Sequence, residues 1–241
     1  MSVLIGQASK GESGIRNQLP GNQTGRELNR TAWYNRPWDT VIRAKDAGKR
    51  ELIACAMEDA IANRYIGYDQ TDRLTLYIQA RAHNWSIKSI ITPVECDCSS
   101  LVAVCLNCAG IHVPADCYTG NLAAACNATG QCYILRDSLL TQQSGYLLRG
   151  DILLNSASHT AVVLSNGDKV SGVKITPYAA QVRVSTYLQV RTSPAGDEKK
   201  LGGQSMRLPN GMVVAICEES GAWGRLNDIP DAWIHLGYVT R

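Results

Sequence analysis

The sequence predicts an α+β domain followed by a small all-β barrel. Three observations carry that expectation. Helical periodicities fill the stretch from Asp46 to Ala128. Strand-like apolar runs follow Gly150, one of them closed by the turn pair Asn166–Gly167. From about Val182 the chain breaks into short strand-like runs separated by polar turns, which is the pattern of a small barrel. The expected division is therefore a first domain over residues 1–178 and a second over 182–241. A chain of 241 residues is long enough for each to bury a core.

Residues 1 to about 45 are rich in Gly, Asn and Gln, and Gly21-Asn22-Gln23-Thr24-Gly25 bars a regular element there. Trp33, Tyr34 and Trp38 cluster in this stretch. They read as an arm packed on the first domain, with a ligand-lining role as the alternative. Asp46 to Asn63 reads as a helix whose apolar face is Leu52, Ile53, Ala56, Met57, Ala60 and Ile61. Thr71 to about His83 is a second helix. The third runs from about Asp97 to Ala109, between Pro93 and Gly110. Asn121 to Ala128 is a fourth, and Leu135 to Leu148 connects it to the sheet. Asp151–Leu154, Thr160–Leu164 and Lys169–Ile175 read as strands, the last two forming a hairpin.

The chemistry concentrates at the start of the third helix. Asp97 is the natural N-cap, so Cys98 becomes the first helical residue. A thiol there feels the positive end of the helix dipole, which favours thiolate. Cys96 lies before the cap and lacks that advantage. A sulfur nucleophile needs a base, and there are four histidines. His159 opens a strand, where it is held rigidly. His83 falls at a helix end and reads as a cap. His112 lies at the far end of the third helix, on the order of 15–20 Å from Cys98 at 1.5 Å per residue. His235 belongs to the tail.

Nine cysteines are an odd number, so a complete disulfide framework is excluded. The spacings of Cys96, Cys98, Cys105 and Cys108 leave a zinc site as an alternative. Buried thiols inside an apolar helix are the preferred reading, and no metal or other cofactor is expected. The net charge of +3 gives no case for nucleic acid. No apolar run reaches bilayer length, so no membrane insertion is expected. The N-terminus lacks the basic and apolar regions of a secretory signal.

Asp97-Cys98-Ser99-Ser100 before an apolar helix, then Gly150-Asp151-Ile152-Leu153-Leu154 and His159 before an apolar strand, resembles the NlpC-type cysteine peptidases. These are papain-like, CHAP-related enzymes that cleave bacterial peptidoglycan. The resemblance covers about Ile66 to Gly172. It implies Cys98 as nucleophile, His159 as general base, and Tyr68 and Ser99 at the substrate cleft. The family's third, orienting residue falls by register at Ser171, a short and poor match, and a backbone carbonyl could serve instead. From Thr186 to Arg241 the order Leu-x-Val-Arg-x-x-Pro, Gly-x-Trp, Trp-Ile, Gly-Tyr-Val resembles bacterial SH3-like domains of wall hydrolases. That resemblance implies peptidoglycan binding, with Trp223, Trp233 and Tyr238 as stacking candidates.

The implied function is hydrolysis of an amide in the Gram-positive wall. The bond is either within the stem peptide or between N-acetylmuramic acid and L-alanine. A protein made in the cytoplasm without a signal, acting at the wall, fits a phage endolysin. Two alternatives stand beside it: a non-catalytic wall-binding or adhesion protein with structural cysteines, and a zinc-stabilised interaction module.

Overall fold

The structure is a computed structural model and describes residues 2–9, 27–168, 173–201, 203–227, 229 and 231–241. The turn-rich stretch Gly21–Gly25 and Ser171 lie outside the described residues. The chain forms two compact units, residues 1–165 and 166–241.

The first unit is built on strands β1 (Leu4–Ala8), β2 (Leu28–Ala32), β3 (Thr40–Ala44), β6 (Cys132–Leu135), β7 (Ile152–Asn155) and β8 (His159–Val163). They form one sheet in the order β2-β1-β8-β7-β3-β6. Every neighbouring pair is antiparallel. A short parallel pair, β4 (Ile66–Tyr68) and β5 (Val94–Cys96), stands apart from it. The helices are α1 (Ala47–Ala62), α2 (Thr75–Ala82), α3 (Cys98–Cys108), α4 (Leu122–Ala128) and α5 (Ser138–Thr141). This is an α+β arrangement.

The central strands β7 and β8 are buried on both faces, and their residues are mostly apolar. Side chains alternate across a strand. Ile152, Leu154 and Val162 pack on the side of α1 and α3, with Ile53, Met57, Leu101 and Val104. Leu153, Ala161 and Val163 face the other way, against Val3, Ile5, Trp38 and Leu147. The close approach of α1 to β1 requires Gly6, where a Cβ would come within 2.4 Å of Met57 Cγ.

The first 45 residues differ from the expected arm. They supply three strands of the sheet, and β1 covers the edge of β8 that the expected hairpin would have filled. Leu4-Ile5-Gly6-Gln7-Ala8 has the apolar content to pair between two neighbours. Trp38 nonetheless packs into the core as expected, being 3% exposed.

The helix expectations fall close to the observed bounds. Asp46 caps α1, its carboxylate accepting from the Lys49 amide at 2.8 Å. Asn63 and His83 are the C-caps of α1 and α2.

The second unit contains β9 (Val173–Val182), β10 (Tyr187–Gln189), β11 (Lys200–Leu201), β12 (Gln204–Ser205), β13 (Arg207–Pro209), β14 (Val213–Ser220), β15 (Trp223–Leu226), β16 (Trp233–His235) and β17 (Val239–Thr240). Five strands form an antiparallel sheet, β16-β15-β14-β9-β17, and two ribbons pair β10 with β13 and β11 with β12. A bulge at Cys217 shifts the register of β14 against both neighbours. Strand β9 does not pair with β8. It spans the 178–182 junction expected from the sequence and lies between β14 and β17. The core is Val182, Leu188, Val190, Leu208, Ile216, Leu226 and Ile234.

Candidate active site

Strand β5 runs directly into Asp97, the N-cap of α3. The cap is a reciprocal box. The Ser100 amide donates to Asp97 Oδ1 at 2.7 Å, and the Asp97 amide donates to Ser100 Oγ at 2.9 Å. The Ser99 hydroxyl donates to the same Asp97 oxygen at 3.0 Å. Arg73 Nε closes the other side, 2.8 Å from Asp97 Oδ2, and Arg73 Nη2 reaches Ser99 Oγ and the Cys117 carbonyl. Cys98 therefore starts the helix, held between a saturated cap and an almost fully buried helix body.

The Cys98 sulfur faces the backbone amides of Thr160 and Ser99. Thr160 directly follows His159, so helix α3 and strand β8 bring the thiol and the imidazole segment together. Burial, then the negative charge of Asp97, push the Cys98 thiol up to about 11. The two amides and the charge of Arg36 act in the opposite direction without overcoming this. At 8% exposure, loss of hydration works against the thiolate that the helix start was expected to favour.

His159 is 3% exposed. Its ring stacks on Trp38, centroids 6.0 Å apart and planes 29° apart. His159 Nε2 lies 2.8 Å from Gln7 Oε1. The Tyr34 hydroxyl donates to the same Gln7 oxygen at 2.9 Å, and Gln7 Nε2 donates to Asn29 Oδ1 at 3.4 Å. An amide oxygen accepts, so Nε2 carries the hydrogen and Nδ1 keeps its lone pair. Burial, then the charge of Arg36, lower His159 to about 4. Both shifts favour the neutral forms, a thiol at Cys98 and an imidazole at His159.

Other expected residues sit elsewhere. Cys96 is fully buried, with its thiol raised well above the ordinary value by burial first and then by Asp97 and Glu95. Ser99 is buried and its hydroxyl belongs to the cap. Tyr68 is buried in β4; its amide donates to Glu27 at 3.1 Å and its hydroxyl accepts from Gln70 at 3.1 Å. His112 binds Asn107 at the far end of α3.

Asp151 of the Gly-Asp pair is structural. Its carboxylate takes Arg43 bidentately, at 2.8 and 2.6 Å, inside the protein. Among the described residues no group of three or more His, Cys, Asp or Glu is arranged to hold a metal. All nine cysteines are free thiols.

In the second unit, Trp223, His235 and Tyr238 line an open groove of about 590 Å³ with Tyr187, Arg183 and Arg191. Trp223 meets His235 edge-on at 5.3 Å, and His235 lies 5.4 Å from Tyr238. Trp233 is 7% exposed.

Sequence reasoning missed Gln7, Arg36 and Thr160. A lone amide side chain within the apolar run Leu4–Ala8 was the available signal for Gln7. Nothing local marked Arg36 or Thr160.

The model of the endolysin-like domain family matches residues 5–170. The chain belongs to that family. No curated protein and no solved structure matches it. The endolysin-like match begins in β1 and ends beyond β8, so it contains Gln7, Cys98 and His159 together. Most of the second unit lies outside it. Among the described residues no helix is long and apolar enough to cross a membrane.

Proposed function

We propose that the first unit is a papain-like, NlpC-type cysteine hydrolase that cuts an amide bond of peptidoglycan. One observation carries this reading. The Cys98 sulfur meets the amide next to His159, while Gln7 and Trp38 hold that imidazole with Nδ1 unprotonated.

The chemistry follows from the neutral pair. His159 Nδ1 takes the thiol proton as sulfur attacks the carbonyl carbon, so thiolate forms only as it is used. The Cys98 amide, a first-turn donor of α3, stabilises the oxyanion. The imidazolium then protonates the leaving amine and the C–N bond breaks, leaving a thioester. Water attacks the thioester with His159 again as base, and the free acid and thiol are restored.

The second unit is read as an SH3-like wall-binding domain, with Trp223 and Tyr238 in the groove and Trp233 in the core. The protein acts at the cell wall, in the manner of a phage endolysin. The cut bond is either within the stem peptide or between N-acetylmuramic acid and L-alanine.

The test is digestion of purified Gram-positive wall followed by mass spectrometry, in which the fragment bearing the new amine names the bond. Cys98→Ala should release no fragments, whereas Cys96→Ala should release them normally. Turnover surviving in the Cys98 variant would remove the sulfur mechanism.

A further inference from the structure

Arg36 stands at this site without a partner acid among the described residues. It lies on the segment between β2 and β3, which is tied to the turn before His159. Asn155 Nδ2 donates to the Arg36 carbonyl at 3.1 Å and to that of Pro37 at 2.9 Å. Asn155 is the strand partner of His159 across the β7–β8 hairpin. Two residues after Arg36, Trp38 stacks on the imidazole. The guanidinium is half-buried and near enough for its charge to act on both Cys98 and His159.

The neighbouring carboxylates are already committed. Asp39 Oδ2 accepts from the Ser156 amide at 2.6 Å and the Ser156 hydroxyl at 2.8 Å, and Asp39 Oδ1 accepts from Thr40. The arginine whose charge acts on Asp39 is Arg136. Asp97 is held by Arg73. Among the described residues no acid forms an ion pair with Arg36.

As a purely catalytic device this cation works against itself. It favours thiolate at Cys98 but opposes the imidazolium that must form at His159. A carboxylate arriving with the substrate would cancel the unfavourable half and gain a charge-assisted pair in a water-poor setting.

We infer that Arg36 is a specificity residue that binds a free carboxylate of an acidic peptide next to the scissile amide. The inference rests on the hydrolase reading for its reaction, but the binding step is separable from it. The guanidinium presents a planar fork, which suits a carboxylate and not a carboxamide.

The experiment uses the full chain carrying Cys98→Ala. It is titrated with the tetrapeptide L-alanyl-γ-D-glutamyl-L-lysyl-D-alanine, and with the same peptide amidated at both carboxylates. The free acid should bind about 10- to 100-fold more tightly, the range of a charge-assisted pair. Adding Arg36→Gln should erase the difference by weakening the acid alone. Arg36→Lys should keep part of it, and Arg136→Gln should keep all of it. Equal binding of the two peptides, binding of neither, or equal weakening of both by Arg36→Gln at unchanged melting temperature would overturn the inference. The Cys98-intact protein, given the same peptides, separates the two ideas. Cleavage without preference sinks the role of Arg36 and leaves the hydrolase. Preference in binding without cleavage does the reverse.

Discussion

Gln7 Oε1 holds His159 Nε2 at 2.8 Å, joining the first strand of the chain to the proposed base across 152 residues. The family register pointed to Ser171, which lies outside the described residues; among the described residues the contact to Nε2 comes from β1. Strand β1 can serve because it pairs with β8 itself. The imidazole is oriented by an amide oxygen that also accepts from Tyr34.

Replacing Gln7 with Ala should therefore lower kcat by about 10- to 100-fold, the range seen when a partner orienting a histidine is removed, with little change in KM. Gln7→Glu gives the sharper test. A carboxylate at that position stabilises the imidazolium, so the acid limb of the pH–rate profile should move to higher pH. An unmoved acid limb in Gln7→Glu would mean that Gln7 does not act through His159.

The neutral pair makes its own prediction about pH. With the Cys98 thiol near 11, the rate of its alkylation by iodoacetamide should climb about tenfold per pH unit from pH 6 to pH 10. A thiolate–imidazolium pair would instead give a fast, level rate near neutrality, and that result would refute the neutral resting state. His159 adds a stability effect. Its folded value of about 4 lies below the ordinary imidazole value of 6.5, so the unfolded chain binds the extra proton between them. Stability is full above about 6.5 and falls as pH drops toward 4, by about 3 kcal/mol at 1.36 kcal/mol per unit. Urea titrations of wild type and His159→Gln at pH 7 and pH 4.5 measure it. The slope should be smaller in the variant.

The helices were legible because their signals are local. Asp46 and Asp97 announce caps, and the apolar spacing from Ile53 to Ala60 fixes the buried face of α1. The positions of Cys98 and His159 were legible for the same reason, each standing at the start of a regular element. Long-range pairing was not. No local feature tells that β1 inserts beside β8, or that β9 leaves the first sheet to join β14, since both strands are simply apolar and extended. The residues missed at the site follow from that gap. Gln7 meets His159 through β1–β8 pairing, and the segment of Arg36 is fastened by Asn155, the strand partner of His159. The force opposing a thiolate was hidden for another reason: the dipole is visible in sequence, but the burial of Cys98 is not.

The Gly150–Asp151 pair illustrates a motif whose role here is mechanical. Gly150 has φ of +87°, and a Cβ there would stand 2.0 Å from the Arg50 carbonyl oxygen. Gly150→Ala should destabilise the unit without altering residual specific activity. Asp151 and Arg43 are 0% and 2% exposed, and Asp151 Oδ2 also accepts from the Leu148 amide at 2.8 Å. Arg43→Leu strands a buried carboxylate and should cost about 3–5 kcal/mol. The double variant Arg43→Leu, Asp151→Leu should recover part of that loss. Denaturant unfolding of the wild type, the two single variants Arg43→Leu and Asp151→Leu, and the double variant checks this, and additive losses in the double variant would show that the two side chains do not act as a pair.

Where the second unit begins decides whether it can be isolated. Strand β9 lies between β14 and β17, and it supplies Ala180 and Val182 to the core with Tyr178 packed against them. A fragment starting at residue 183 loses that strand. Strand β14 would then expose an unpaired edge, and β17 would have no partner. A fragment of residues 166–241 keeps the whole sheet. It should melt cooperatively and sediment with purified Gram-positive wall, whereas residues 183–241 should show no cooperative transition. Within the longer fragment, Trp223→Ala and Tyr238→Ala should weaken sedimentation at unchanged melting temperature, because both line the groove. Trp233→Ala should instead lower stability by about 3–5 kcal/mol, as truncation of a buried aromatic does. Cooperative melting of residues 183–241 would show β9 to be dispensable. A well-folded 166–241 fragment that stays in solution with every wall preparation would remove the wall-binding role. On the proposed reading, anchoring would raise the local concentration of the first unit on an insoluble substrate and leave the chemistry at Cys98 unchanged. Loss of the second unit should therefore slow lysis of whole cells far more than cleavage of soluble fragments.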